Sequence, residues 1–170
     1  MRIIYPGPVT LVDPTAHPLV FTGQRGERFQ VAVLEDDLFR IQHWPDGRPR
    51  MDRTWMVSGD GGDVPREGRR RDDLSPFSLP DFDLDASDAS VQLRSRQLHL
   101  DISLDDPCLH WSDAEGRPFA QDLGRRAYAY DRANRAVYHY LERRPGEHYF
   151  GFGERSGPLD KAGRRMRMFN

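Results

Sequence analysis

The segment Gln97-Leu98-His99-Leu100-Asp101-Ile102-Ser103-Leu104 sets four apolar side chains in strict alternation with polar ones. An extended chain points successive side chains to opposite faces, so this run predicts a half-buried β-strand. Shorter runs of the same kind punctuate the chain. Pro18–Thr22, Phe29–Leu34, Leu38–Trp44, Ser90–Arg94, Pro107–Trp111, Ala136–Leu141 and His148–Gly153 all read as strands, with a last one over Arg165–Phe169. Between them stand turn residues. Asp36-Asp37 joins two alternating runs into a hairpin. Pro45-Asp46-Gly47 carries a turn mechanism, because Pro presets φ and Gly permits a positive one. Asp113–Arg117 reads as a second hairpin turn. Only Arg125–Arg135 offers a helix, short and weakly periodic. Many short strands separated by turns at about 8–12-residue spacing predict an all-β, antiparallel β-sandwich.

Composition agrees and narrows the function. Of 27 acidic residues, most are Asp, which prefers caps and turns; with 15 Gly and 13 Pro the chain is turn-rich. Its 170 residues suggest one domain, 1–170. A formal net charge of −2 gives no basic stripe for nucleic acid. No apolar run approaches the roughly 18–20 residues of a membrane span. The opening Met1–Pro6 is too short an apolar stretch for an export signal, so a cytoplasmic location is expected. Lone Cys108 excludes an intrachain disulfide and a multi-cysteine metal site. From Ser58 to Pro80 the alternation collapses. Gly59–Asp63 and Arg69–Asp73 hold almost no apolar side chains, which predicts a long mobile loop near 58–80.

The chemistry-bearing residues do not assemble into a known catalytic motif. Asp81-Phe82-Asp83-Leu84-Asp85 has the acidic spacing of a calcium loop, but its sixth position is Ala86 and its twelfth Gln92, where Gly and Glu are needed. An edge strand or loop with its Asp side chains in water is the expectation. Gly151-Phe152-Gly153 follows a predicted strand, yet Ser156 stands at the third glycine position and Gly157-Pro158 does not open a helix. The six histidines show no metal-ligand spacing, and His99, His110 and His139 are expected as satisfied strand residues. Cys108 is expected as a small buried hydrophobe. Trp44, Trp55 and Trp111 have the chemistry to stack on sugar rings, but Trp44 and Trp111 end strands and are expected to plug the core. Glu154, among aromatics and glycines, is the acid best placed for chemistry.

Residues 149–170 carry a more specific signal. Tyr149-Phe150-Gly151-Phe152-Gly153-Glu154-Arg155 leads into Gly157-Pro158-Leu159-Asp160-Lys161, then Gly163-Arg164-Arg165 and finally Phe169-Asn170. This order resembles the N-terminal region of glycoside hydrolase family 31, the α-glucosidase and α-xylosidase family. Upstream, Leu38–Ile41 resembles that family's early strand, and Leu98–Gly116 resembles a later strand pair. The resemblance implies a galactose-mutarotase-like supersandwich that precedes a (β/α)₈ barrel bearing both catalytic aspartates. Such a barrel takes about 250 residues, more than this chain contains. The resemblance therefore implies an accessory domain of a cofactor-free glycosidase, inactive alone, whose partners are its own barrel and an α-linked oligosaccharide. The resemblance implies a following loop that reaches the sugar site, and no family catalytic residue maps onto this sequence. Phe152, Glu154, Arg155, Lys161, Arg164, Arg165, Phe169 and Asn170 are the candidates for contacts to the barrel or the substrate entrance. Small residues there allow close approach, the Arg set suits carboxylates, and Met166, Met168 and Phe169 supply apolar anchors. Two other functions fit the fold: a free-standing carbohydrate-binding sandwich, and an aldose-epimerase-like enzyme drawing on His139, His148 and Glu154.

Overall fold

The computed structural model describes residues 3–59, 62–153 and 156–166. Among the described residues thirteen strands follow in chain order: β1 (Val9–Leu11), β2 (Leu19–Gly23), β3 (Arg28–Glu35), β4 (Leu38–Trp44), β5 (Arg53–Thr54), β6 (Arg69–Arg70) and β7 (Asp83–Ala86). They continue with β8 (Ser90–Arg94), β9 (Leu98–Ser103), β10 (Cys108–Asp113), β11 (Pro118–Gln121), β12 (Tyr128–Asp131) and β13 (Ala136–His139). All pairing between them is antiparallel. One sheet runs β1-β2-β3-β4 and a second β11-β10-β9-β8-β7, with two-stranded ribbons β12-β13 and β5-β6 beside them.

The alternation seen in the sequence decides which side chains meet. Leu19, Phe21, Phe29, Val31, Val33 and Phe39 face inward from the first sheet. Val91, Leu93, Leu100, Ile102 and Leu109 face them from the second, and all join one buried cluster. This is a sandwich, as predicted. Hydrogen bonds between turns hold the sheets in place. Ser95 Oγ donates to the Asp36 carbonyl at 2.5 Å, and Arg96 pairs with the Asp36 carboxylate at 3.1 Å, so the β3–β4 turn is tied to the β8–β9 turn. The Pro45-Asp46-Gly47 turn forms as expected, with Gly47 at φ +72° and its N–H bonded to the Trp44 carbonyl.

The outer face of the first sheet is also covered. Ala32 and Leu34 pack there against Phe77, Val57 and Leu74. The polar stretch predicted as loop therefore carries its own anchors at its margins, and it contributes β6, which pairs with β5. Asp83–Ala86 forms an edge strand of the second sheet, with Asp83 and Asp85 exposed.

Four expectations need correction. No helix forms over Arg125–Arg135; β12 and β13 meet there in a ribbon instead. All four β12 residues are buried, and a strand covered on both faces shows no alternation. His148–Gly153 forms no strand, because Gly151, Phe152 and Gly153 all adopt positive φ, which no ladder accepts. Arg165 and Met166 lie in irregular backbone, and the remainder of that predicted strand falls outside the described residues. Trp44 does not plug the core. Its neighbours His43 and Phe29 face the interior, so Trp44 points to the opposite face, where the Arg28 guanidinium lies 5.5 Å from its ring centre. Trp111 does pack against the core, edge-on to Phe39 at 5.7 Å.

Candidate functional site

Among the described residues a wide concavity lies between β4, the β10–β11 hairpin and the β12–β13 ribbon. It is a cleft of about 660 Å³. Its floor is made of core-facing residues, Phe39, Ile41, Leu109 and Trp111, and its rim of Leu38, Phe119, Val137 and Leu141. The four rim residues are 40%, 48%, 54% and 56% exposed, an amount of open apolar surface that marks a contact face.

A polar cluster stands in one wall. Asp122 follows β11 and is fully buried. Its Oδ2 accepts from the Leu109 backbone N–H at 3.0 Å, and its Oδ1 accepts from His139 Nε2 at 2.7 Å. His139 sits directly opposite Tyr128 in the ribbon, and their rings stack at 4.7 Å. The Tyr128 hydroxyl is held protonated far above its ordinary range, by burial first and then by the adjacent Asp122 carboxylate. His43, between Phe29 and Tyr128, has its pKa pushed down to about 4 by burial. It is an uncharged aromatic wall at neutral pH.

Cys108 is buried, and its thiol bonds the Asp122 carbonyl at 3.5 Å. Burial pushes its pKa up to about 11, which removes it as a nucleophile and matches the expectation of a small hydrophobe. The cleft thus pairs an apolar floor with a locked His–Asp pair. This arrangement suits packing against protein and offers no activated nucleophile.

The C-terminal segment forms a separate feature. Asp160 organises it: Oδ2 meets His148 Nδ1 at 2.7 Å, while Oδ1 accepts from the backbone N–H of Tyr149 at 3.0 Å and of Ala162 at 2.8 Å. These bonds, the His148 one first, hold the Asp160 carboxyl well below the usual carboxylate range. Lys161 turns back, its Nζ donating to the Pro158 carbonyl at 2.7 Å. A hollow of about 270 Å³ results, lined by Ser156, Pro158, Lys161, Arg164, Arg165 and Met166. Arg164, Arg165 and Phe152 are exposed. Glu154, Arg155, Phe169 and Asn170 lie outside the described residues.

Sequence reading reached the second feature through its motif and missed the first. Asp122, Tyr128 and His43 gave no signal, since each belongs to a different element and only the fold gathers them. Of the epimerase candidates, His139 pairs with Asp122 and His148 with Asp160, and Glu154 lies outside the described residues.

Comparison with known proteins assigns the fold. No curated protein matches the chain. Among solved structures, a family 31 dextranase from Flavobacterium johnsoniae, in complex with isomaltotriose, superposes with a TM-score of 0.76 at 15% identity, over 95% of this chain and 18% of that one. A cycloalternan-forming enzyme from Listeria monocytogenes gives 0.62 at 12% identity, over 95% of this chain and 14% of its own. A family 31 α-xylosidase from Xanthomonas citri gives 0.56 at 20% identity, over 92% of this chain and 15% of its own. The chain thus spans less than a fifth of each of these enzymes. Residues 28–170 match the model of the glycosyl hydrolase 31 N-terminal galactose mutarotase-like domain, and the chain belongs to that family.

Proposed function

We propose that this chain serves as the N-terminal accessory domain of an α-glycosidase of α-glucosidase type, packing on the catalytic barrel and shaping its substrate entrance. The parent reaction is hydrolysis of α-linked O-glycosyl compounds by a pair of carboxylates. Both carboxylates belong to the barrel, and this domain contributes support and shape. The observation that carries the reading is the open apolar cleft, whose exposed Val137 and Leu141 sit beside core residues that a lone sandwich would keep covered.

The second contact is the C-terminal turn. Phe152, Lys161, Arg164 and Arg165 form the edge directed at the barrel and the sugar entrance; Glu154, Arg155, Phe169 and Asn170, expected from the sequence to act with them, lie outside the described residues. Arg164 and Arg165 pair bidentately with carboxylates of the packed neighbour.

The test uses the full-length polypeptide. Val137→Asp with Leu141→Asp, and separately Arg164→Ala with Arg165→Ala, should each lower the melting temperature and reduce hydrolysis of a p-nitrophenyl α-glucoside. Unchanged melting and activity in both variants would overturn the docking role. Sugar turnover by the 170-residue chain alone would overturn the accessory role.

A further inference from the structure

We propose that the outer face of the four-stranded sheet carries a saccharide-binding site centred on Trp44. The register of β3 and β4 sets Arg28 opposite Trp44 and Gln30 opposite Gln42. These four side chains share the face that turns away from the sandwich core. The segment after β4 folds back over them and brings Asp52, Arg71 and Asp72 to the same place. A hollow of about 290 Å³ results, lined by Arg28, Gln30, Trp44, Asp52, Arg71 and Asp72 among others. A second hollow of about 350 Å³ adjoins it, and Trp44, Pro49 and Arg71 line both.

The lining chemistry selects the ligand class. An indole ring offers a flat apolar surface that suits the C–H face of a pyranose. Around it stand planar side chains with paired donors or acceptors: guanidinium, carboxylate and carboxamide. Vicinal hydroxyls need donors and acceptors together, and this site has both. An anion would meet the carboxylates of Asp52 and Asp72 as well as the arginines, so a neutral polyol fits the set better. The site is also prepared. Arg28 holds one face of the Trp44 ring. Asp72 is fixed by a bidentate pair with Arg70 at 2.9 and 2.7 Å, and Arg71 Nε donates to the Met51 carbonyl at 2.8 Å. Arg28 Nε and Gln42 Oε1, on the same sheet face, are buried without a partner in the protein. The first hollow is at the low end of small-molecule sites, roughly 300 Å³, and the pair sharing Trp44 suits consecutive sugar units.

The hollow of Arg28, Gln30 and Trp44 lies on the opposite face of the sheet from the apolar cleft, whereas the second hollow reaches round the β4 edge to Ile41, His43 and Val137, which also line the cleft. The first hollow shares no lining residue with the cleft, so it stands independently of the docking reading. The test is titration of the intact chain with maltotriose and with isomaltotriose, followed by the tryptophan indole N–H signals in NMR. Saturable movement of the Trp44 signal, with Trp55 and Trp111 still, is the expected result. Trp44→Ala and Asp52→Asn should each weaken binding at least about tenfold. Asp52→Asn removes one acceptor at an exposed position and keeps the fold, so it remains informative if Trp44→Ala unfolds. Absence of saturable movement up to about 10 mM of either sugar would overturn the site. So would movement centred on Trp111, or a Trp44 response to inorganic phosphate alone.

Discussion

Tyr130 donates its hydroxyl hydrogen to Glu27 Oε1 at 2.8 Å, joining two buried side chains 103 residues apart. Glu27 closes the β2–β3 turn, where its Oε2 accepts from the Arg25 backbone N–H at 2.9 Å. Burial alone would raise its pKa, but hydrogen bonds from its own backbone N–H, from Tyr130 and from the Arg25 N–H, with the Arg25 charge, outweigh burial and hold the carboxyl below its ordinary value. The bond therefore locks the first sheet to β12, one wall of the cleft.

Tyr130→Phe keeps the ring and removes the donor. A buried carboxylate oxygen then loses its partner, at a cost of about 1–3 kcal/mol. Glu27 contributes stability that is present above its unfolded pKa and lost as pH falls through its lower folded one. The variant raises that folded pKa, so acid unfolding should begin at higher pH. Urea denaturation at neutral and acidic pH measures both effects; a midpoint equal to that of the unmodified protein at every pH would remove Glu27–Tyr130 as the lock.

His43 sets a second pH dependence. Folded, it stays neutral until about pH 4, whereas the unfolded side chain protonates near its ordinary value of 6.5. Between these values the unfolded state binds more protons, so stability falls as pH falls. The full loss, up to about 3 kcal/mol, is reached below pH 4. His43→Phe retains the stack on Phe29 and abolishes the titration. Comparing urea midpoints at pH 7 and pH 4.5 isolates the effect, because other acid-sensitive groups are common to both proteins. Parallel acid losses in the two would show that burial of His43 does not couple to folding.

Gly68 tests whether the turn before β6 is built around Trp55. Its φ is +76°, and a Cβ there would lie 2.8 Å from the Trp55 ring. The ring is also pinned, since Trp55 Nε1 donates to the Arg66 carbonyl at 3.0 Å. Gly116 has nearly the same φ, +77°, with nothing near its Cβ position. Gly116→Ala therefore reports backbone strain alone, about 1–2 kcal/mol. Gly68→Ala adds a collision and should displace the indole, shifting Trp55 fluorescence and speeding proteolysis between β5 and β6. Equal effects at the two glycines would mean that the ring moves aside freely.

The sandwich was legible because both main sheets bury one face strongly, and one buried face writes alternation into β3, β4, β8 and β9. The segments that misled are those where another rule governs. The β12 strand is covered on both sides, so Tyr128–Asp131 shows no strand period, and the weak periodicity of Arg125–Arg135 reads as helix instead. Residues 148–153 are aromatic like a strand, but positive φ at Gly151–Gly153 breaks the ladder. Trp44 follows the alternation of β4 faithfully; its outward side was predictable from the inward Phe39 and Ile41. The cleft was hidden for a different reason. Asp122, Tyr128 and His43 come together only through pairing of distant strands, and no local spacing encodes that.

The His139–Asp122 pair is the part of the cleft wall most open to a quantitative test. Asp122 is fully buried and accepts two hydrogen bonds, whereas the His139 side chain is 45% exposed. Asp122→Ala orphans the Leu109 N–H as well as His139, so it should cost about 2–4 kcal/mol. His139→Ala leaves the Leu109 bond intact and should cost about 1 kcal/mol. With Asp122 already gone, His139 has lost its partner, and its removal should cost less again. A double-mutant cycle should therefore return a coupling of about 0.5–1.5 kcal/mol. Strict additivity would mean that Asp122 is held by the Leu109 backbone alone and that His139 is a bystander on the rim.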